Sequence, residues 1–472
     1  MERINASRLR VKKRKMEVSI KMKNQGLFVS LDIGTTSIKI VVAEYVNNQL
    51  NIIGVGNEVS RGLSRGVIVD IDETVDSIKK AVSQAERKAD ITIRDVIVGI
   101  PGNQINIEPC HGMYGVANEN KEITDNDVKS VFHAAKVRSL PPEREIISVI
   151  PEEFIVDGFD GIRDPRGMIG VRLELYASMI TGPKTVVHNI KRCVERAGLH
   201  VEDMIVQPLA VSSIAMSKGE RDFGTILIDM GGGQTTASVM HDDQLKFVYV
   251  DPEGGENVTK DISIILNTTM DHAEKIKRDY GYAVSADASD EEYFSVEVIG
   301  KEYPVRVDEK YLAEIIEARI NQTFENVKHA LDQVEALDLP GGIVLTGGGS
   351  ALPGILELAE EIFGVNVKMY VPEQMGMRNP IFATSLGLIK FIAEQDDIYQ
   401  VTKNKIQKPA SAQAPNQIHT QTPRQKVVPL QQKEEVNVDQ PIPTEMQETY
   451  SREPEKAGIF EQAKKFFQSI FE

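Results

Sequence analysis

Two acidic residues stand at the ends of β-type runs, each followed at once by glycine and hydroxyl residues. Ile226-Leu227-Ile228-Asp229 leads into Met230-Gly231-Gly232-Gly233-Gln234-Thr235-Thr236 and restarts as Ala237-Ser238-Val239-Met240. That order describes a strand, a tight turn and a returning strand. Glycines without side chains let backbone N–H groups point at phosphate oxygens, hydroxyls add donors, and Asp229 can hold the hydration shell of a Mg²⁺. A glycine-rich hairpin with no chemical role has the same local pattern.

The design recurs near the N-terminus, where Phe28-Val29-Ser30-Leu31-Asp32 is followed by Ile33-Gly34-Thr35-Thr36-Ser37 and by Ile38-Lys39-Ile40-Val41-Val42. Each copy continues through a polar turn into a third strand, Asn47 to Ile53 in one and Asp242 to Val248 in the other. This predicts an internal duplication, two half-molecules each offering one phosphate loop to a cleft between them. A third glycine turn, Gly347-Gly348-Gly349, ends the short strand Gly342 to Thr346. A base or ribose can lie flat against such a turn, and Ser350 with Pro353 predicts the start of a helix over Ile355 to Phe363. No G-x-x-x-x-G-K-[ST] occurs, so a P-loop has no anchor.

Asp-x-Gly, Asp-x-Gly and Gly-Gly-Gly in this order resemble the actin-like ATPase superfamily. The resemblance implies an α/β, two-lobed fold with duplicated ribonuclease-H-like halves, and ATP with Mg²⁺ as cofactors. On that pattern Asp32 and Asp229 serve the metal. Gly34, Thr35, Thr36, Gly231, Gly232, Gly233, Gln234 and Thr235 serve the phosphates, and Gly254, Gly347, Gly348 and Gly349 line the nucleotide. Gln207, at the segment joining the halves, is the candidate for orienting an attacking water; an ordinary polar helix start is its alternative. Glu274 and Lys277 share a helix face, so the carboxylate can meet ribose hydroxyls while the lysine stem covers adenine. A surface ion pair is the competing account. Gln234 and Thr236 stand where the superfamily has Thr and Asp, which implies tight binding with weak ATPase activity at most.

Composition sets the bounds. The 472 residues allow about three domain equivalents. A net charge of −16, from 54 basic and 70 acidic residues, argues against nucleic acid as a partner. Two cysteines far apart, Cys110 and Cys193, predict neither a disulfide framework nor structural zinc, and a reducing cytosol suits them. No apolar run approaches transmembrane length. Residues 1–23 carry nine Lys or Arg and two Glu. They read either as a nucleic-acid or lipid-binding arm or, preferably, as an extension left untranslated by a start at Met22.

Residues 102–182 predict an inserted α+β subdomain, with strands over Gln104 to Ile107, Ile146 to Val156 and Val171 to Ile180 and a helix capped at Thr124. Its Ile150-Pro151-Glu152-Glu153-Phe154, Asp164-Pro165-Arg166-Gly167-Met168-Ile169-Gly170 and Arg172-Leu173-Glu174 resemble the subdomain peculiar to the FtsA family of bacterial cell-division proteins. That resemblance covers about Leu27 to Ala393. It implies a polymerising, membrane-bound relative of actin that ties tubulin-like FtsZ to the cytoplasmic face of the membrane at the division septum, with later division proteins as further partners. Expected boundaries are lobe 1 core at 24–101 and 183–220, lobe 2 core at 221–255 and 335–379, an outer, FtsZ-docking subdomain at 256–334 and a return helix at 380–400. A small-molecule kinase of the superfamily is the rival reading, and MreB- or PilM-type relatives are a third.

The tail divides in two. Residues 401–456 predict a disordered linker: Thr402 to Glu455 holds nine Gln and seven Pro with Tyr450 as the lone aromatic. Its typical reach is roughly 40 Å. Residues 457–472 repeat apolar groups at helical spacing, Ile459, Phe460, Phe466, Phe467, Ile470 and Phe471, opposite Glu461, Lys464, Lys465 and Gln468. This predicts an amphipathic membrane-binding helix, with a protein groove as the alternative surface.

Overall fold

The computed structural model describes residues 26–403. The N-terminal extension, nearly all of the linker and the terminal helix of the sequence reading lie outside the described residues. In the first half, β1 (Gly26–Ile33), β2 (Ser37–Val46) and β3 (Gln49–Val59) form an antiparallel meander. Leu31, Ile38, Ile40 and Val42 are fully buried in it. Asn47 and Asn48 turn β2 into β3 at φ 51° and 62°, the left-handed pair that a two-residue type I′ turn requires.

A small hairpin, β4 (Leu63–Ser64) with β5 (Val67–Ile68), precedes α1 (Ile71–Ala89). Asp70 caps α1, its carboxylate accepting the Glu73 N–H at 3.0 Å. The helix lies so close to β3 that a Cβ at Gly56 would stand 1.9 Å from the Ala81 carbonyl oxygen. β6 (Asp95–Ile100) then joins β1 in parallel.

The inserted subdomain follows as β7 (Asn106–Gly115), α2 (Asp125–Lys136), β8 (Arg144–Val156), β9 (Phe159–Ile162) and β10 (Arg172–Pro183), in sheet order β7-β10-β8-β9. At the start of α2 the Asp127 carboxylate accepts both the Thr124 N–H at 2.9 Å and its hydroxyl at 2.6 Å. The strand expected from Gln104 to Ile107 begins at Asn106 and runs to Gly115, because Gln104 takes φ 55° in the preceding turn. α3 (Lys184–Arg196) and β11 (His200–Val206) return the chain to the first sheet, whose order is β11-β6-β1-β2-β3.

α4 (Gln207–Ala215) and α5 (Lys218–Phe223) lead to β12 (Thr225–Met230), β13 (Thr235–His241) and β14 (Gln244–Asp251). Asp242 and Asp243 supply the same left-handed pair, at φ 53° and 56°. α6 (Gly255–Ile265), α7 (Met270–Tyr280), the hairpin β15 (Tyr293–Val296) with β16 (Val305–Asp308), and α8 (Glu309–Asp332) form the outer part of this half. β17 (Ile343–Thr346), α9 (Ile355–Phe363) and β18 (Val367–Met369) complete a sheet of order β14-β13-β12-β17-β18. The two sheets share one plan: a three-strand meander whose first strand accepts a parallel strand, and that strand a second. The expected duplication is therefore topological, down to the turn type.

The helix expected over Ile355 to Phe363 is α9 with the same bounds, but neither Ser350 nor Pro353 is its cap. Gly354, at φ 78°, precedes α9, while Ser350 sits in a 3₁₀ turn with its hydroxyl donating to the Gly347 carbonyl at 2.7 Å. α10 (Ala383–Ala393) lies in the span expected for the return helix. α11 (Asp397–Lys403) follows, taking residues 401–403 out of the expected linker. Ile398 and Val401 are buried in the inserted subdomain's core, and the Tyr399 hydroxyl donates to Asp203 at 2.9 Å. One apolar edge on a single helical turn was too short a signal to separate from the polar tail.

Candidate functional site

Each half sets its acidic residue opposite an equivalent position across the meander: Asp32 pairs with Lys39, and Asp229 with Thr236. Both acids, both loops and the third glycine turn line a cavity of about 110 Å³ between the halves. Asp32 is buried at 4% exposure. Its carboxylate takes the Lys39 ammonium at 3.2 Å on one oxygen and the Gln207 Nε2 at 3.0 Å on the other. Gln207 is the first residue of α4, so the helix start and the contact with the acid coexist.

Asp229 lacks such a lysine. Desolvation, then the Asp32 charge, push its carboxyl up to about 6 against the weaker pull of Lys39. Gly347, at φ 93°, is glycine for a reason visible here: a Cβ would stand 2.2 Å from the Asp229 Oδ1. The third turn thus backs the second acid as well as lining the cleft.

The loops meet across the cleft. Cβ atoms at Gly232 and Gly233 would stand 2.2 Å and 2.5 Å from the Thr36 and Thr35 side chains. The Thr35 hydroxyl accepts the Gly66 N–H at 2.9 Å, bringing the β4–β5 hairpin onto the first loop. Gln234 enters from the second loop, and its buried Oε1 has no hydrogen-bond partner.

Behind the second loop, Gly231 and Gly232 carbonyls accept the N–H groups of Gly255 and Glu256 at 3.0 and 2.8 Å. Gly254 is packed against the loop's backbone, where a Cβ would stand 2.6 Å from the Gly232 oxygen. The Thr235 hydroxyl donates to the Glu253 carbonyl at 2.9 Å. Glu253 is held in turn by Arg319 of α8, 3.0 Å away, which also grips Asp261 of α6.

An adjoining cavity of about 770 Å³ shares Thr36, Gly231, Gly232 and Gly348 with the first, and adds Thr235, Gly254, Glu274, Lys277 and Gly349. Lys277 spends its donors on protein, reaching Glu274 at 2.6 Å, the Thr259 hydroxyl at 2.8 Å and the Gly255 carbonyl at 2.9 Å. Its side chain is only 11% exposed, so the pair is not a surface one. Burial lowers the Lys277 ammonium, with Glu274 offsetting part of the effect. Burial pushes Glu274 up, but Lys277, Thr259 and Arg278 together outweigh it and hold the carboxyl below its usual range.

Every nucleotide-site residue expected from sequence lines one of these two cavities. Lys39, Gly66 and Thr259 were missed. Only Lys39 had a legible signal, the hairpin register that sets it opposite Asp32.

Among the described residues no group of three or more His, Cys, Asp or Glu could hold a metal ion, and no helix is long and apolar enough to cross a membrane.

The family model described as "Cell division protein FtsA" matches residues 226–387, and the one described as "SHS2 domain inserted in FTSA" matches residues 102–181, one residue short of the insertion expected at 102–182. The cell division protein FtsA of Enterococcus hirae is 59% identical over 382 residues, 81% of this chain and 86% of that one. That of Enterococcus faecalis is 51% identical over 451 residues, 96% and 100% of the two chains. That of Bacillus subtilis is 49% identical over 370 residues, 78% and 84%. Among solved structures, one of the PilM-PilN type IV pilus biogenesis complex superposes with a TM-score of 0.53 at 17% identity, over 80% of this chain and 99% of that one, which shows a shared fold. With the inserted subdomain recognised in its own right and half of the residues identical over most of two lengths, the chain belongs to the FtsA family of cell-division proteins.

Proposed function

We propose that the chain is an ATP-binding, polymerising adaptor that tethers FtsZ filaments to the cytoplasmic face of the membrane during division. The observation that carries its nucleotide half is the meeting of two hairpins of equivalent register, with Asp32 and Asp229 at one cleft. The residues present fit Mg-ATP. Side chains at Gly232, Gly254 or Gly347 would fill space against the opposite loop, the backbone or the second acid. The unpartnered Gln234 Oε1 and the desolvated Asp229 are polar groups that a hydrated cation and its phosphates would satisfy.

Mg²⁺, when bound with the nucleotide, supplies charge neutralisation across the phosphate oxygens. Asp32 and Asp229 would orient its waters, since two carboxylates suit outer-shell contact better than a closed protein cage. Thr35, Thr36 and the backbone N–H groups of Gly232 to Gln234 would hold phosphate oxygens, the Gly231 N–H being spent on the Gln234 carbonyl at 2.9 Å. Glu274, Lys277, Gly348 and Gly349 would border ribose and base. Gln207, already donating to Asp32, keeps a carbonyl oxygen with which to orient a water. Any hydrolysis would be weak, because Thr236 replaces an acid.

The outer subdomain around α8 would dock FtsZ, and the terminal apolar repeat, Ile459 to Phe471, would moor the chain peripherally. The tether favours a bilayer over a fixed groove. Mooring would strengthen in polymers, where many tails act together. Sedimentation with FtsZ and phospholipid vesicles tests this, with and without ATP, comparing the full chain with one ending at residue 455. The full chain brings FtsZ down with vesicles. Equal FtsZ recovery with both chains would refute the tether.

A further inference from the structure

A third cavity, of about 590 Å³, lies where the inserted subdomain, lobe 1 and the β13–β14 hairpin meet, away from the nucleotide cleft. Phe154, Leu209, Met240, Phe391, Ile398 and Tyr399 give it apolar walls. Gln244 crosses between two of its sides: at 8% exposure, it donates from Nε2 to the Pro151 carbonyl at 3.3 Å, while its Oε1 has no partner. A buried acceptor without a donor, set among apolar side chains, suits an occupant that brings an N–H or O–H along with greasy groups. The rim is acidic, with exposed carboxylates at Asp242, Asp243, Glu394 and Asp396. The cations there are Lys218, Arg163 and Arg221, the last paired with Asp243 at 2.6 Å.

We infer that this cavity receives the chain's own terminal apolar repeat, Ile459 to Phe471, when no membrane is available. The inference rests on the proposed membrane-anchor role of that repeat. α11 forms one wall through Ile398 and Tyr399 and delivers the chain at Lys403, from which the sequence continues to residue 472. The occupant is therefore tethered beside its site, at an effective concentration of about millimolar, so a weak intrinsic affinity suffices. Phe460, Phe466, Phe467 and Phe471 match the apolar walls, and Lys464 and Lys465 match the acidic rim. One apolar face cannot lie in the cavity and in lipid together. Docking thus competes with mooring, and a membrane empties the cavity by mass action.

The test uses the full chain spin-labelled at two substituted cysteines, Lys218→Cys on the rim, which leaves the carboxylates in place, and Ser469→Cys, in a background with Cys110→Ser and Cys193→Ala. Distances are read by double electron–electron resonance. Without lipid the expected result is a dominant short-distance population, which phosphatidylcholine vesicles abolish. Broad long distances without lipid, in a sample that still binds vesicles, overturn docking and leave the anchor reading intact. Short distances that persist in a sample that fails to bind vesicles support docking and sink the anchor. A short-distance signal lost on dilution with unlabelled chain places a second copy's tail in the cavity and overturns the intramolecular assignment.

A second arm avoids the labels. Asp396→Lys alters an exposed rim position and spares Glu394, which holds the Tyr45 hydroxyl at 3.0 Å; weakened docking raises apparent affinity for neutral vesicles about threefold. Unchanged affinity contradicts the competition.

Discussion

Replacing Asp229 with asparagine separates what this carboxylate costs the fold from what it does for the ligand. Its carboxyl is pushed from the ordinary 3.8 to about 6, by desolvation first and by Asp32 second. In the nucleotide-free chain at pH 8 that corresponds to a penalty on the charged form of about 3 kcal/mol at most. The sign follows from proton counting. Between roughly pH 4 and pH 6 the folded state holds more protons at this site than the unfolded chain, so its contribution to stability falls as pH rises through that window and is flat above it. Asparagine keeps the shape without the charge. Asp229→Asn should therefore raise the melting temperature of the nucleotide-free protein at pH 8, by roughly 1 to 4 °C for a gain of 1 to 3 kcal/mol. At pH 4.5 the gain should fall to about one third of that, and it should vanish only below about pH 3.5. Adding Mg-ATP at pH 8 should stabilise the parent chain and leave the variant unmoved, since the cation has lost one of its two orienting acids. Thermal unfolding followed by dye fluorescence, with chelator or with Mg-ATP, reads all of these. A variant less stable than the parent at pH 8 in chelator would refute the electrostatic reasoning.

Three further outcomes follow. Lys277→Met should weaken ATP binding at least about tenfold in titration calorimetry, because it leaves Glu274 without its buried partner and frees the Gly255 carbonyl beside the second loop. Gly56→Ala should destabilise the chain by about 3 kcal/mol in urea unfolding, since α1 must move off β3 to clear a Cβ set 1.9 Å from the Ala81 oxygen; a change below about 1 kcal/mol would show that the helix yields freely. Phe467→Glu should abolish flotation with neutral vesicles, because each large apolar group contributes about 1.5 to 3 kcal/mol of a small total.

The site was legible where chemistry is written in consecutive residues. Asp32 and Asp229 each close an apolar run and open a glycine turn, so position, partner loop and duplication could all be read along the chain. The paired left-handed turns at Asn47-Asn48 and Asp242-Asp243 were visible as polar breaks of equal placement. What depends on contacts distant in sequence was not visible. Gly66 reaches Thr35 from a hairpin of two-residue strands, too short for periodicity to mark. Lys277 reads in sequence as a stem over adenine, but that Thr259 and the Gly255 carbonyl hold its ammonium could not be read there. α11 has two buried apolar groups, and only the inserted subdomain beneath it makes them informative.

The most direct test of the central claim is a crystal structure of the protein grown with Mg²⁺ and a slowly hydrolysed ATP analogue. The account predicts phosphate density between the loops that follow Asp32 and Asp229, with the cation's waters on both carboxylates and the base beside Glu274 and Lys277. Nucleotide density elsewhere, with that cleft closed and empty, would contradict it.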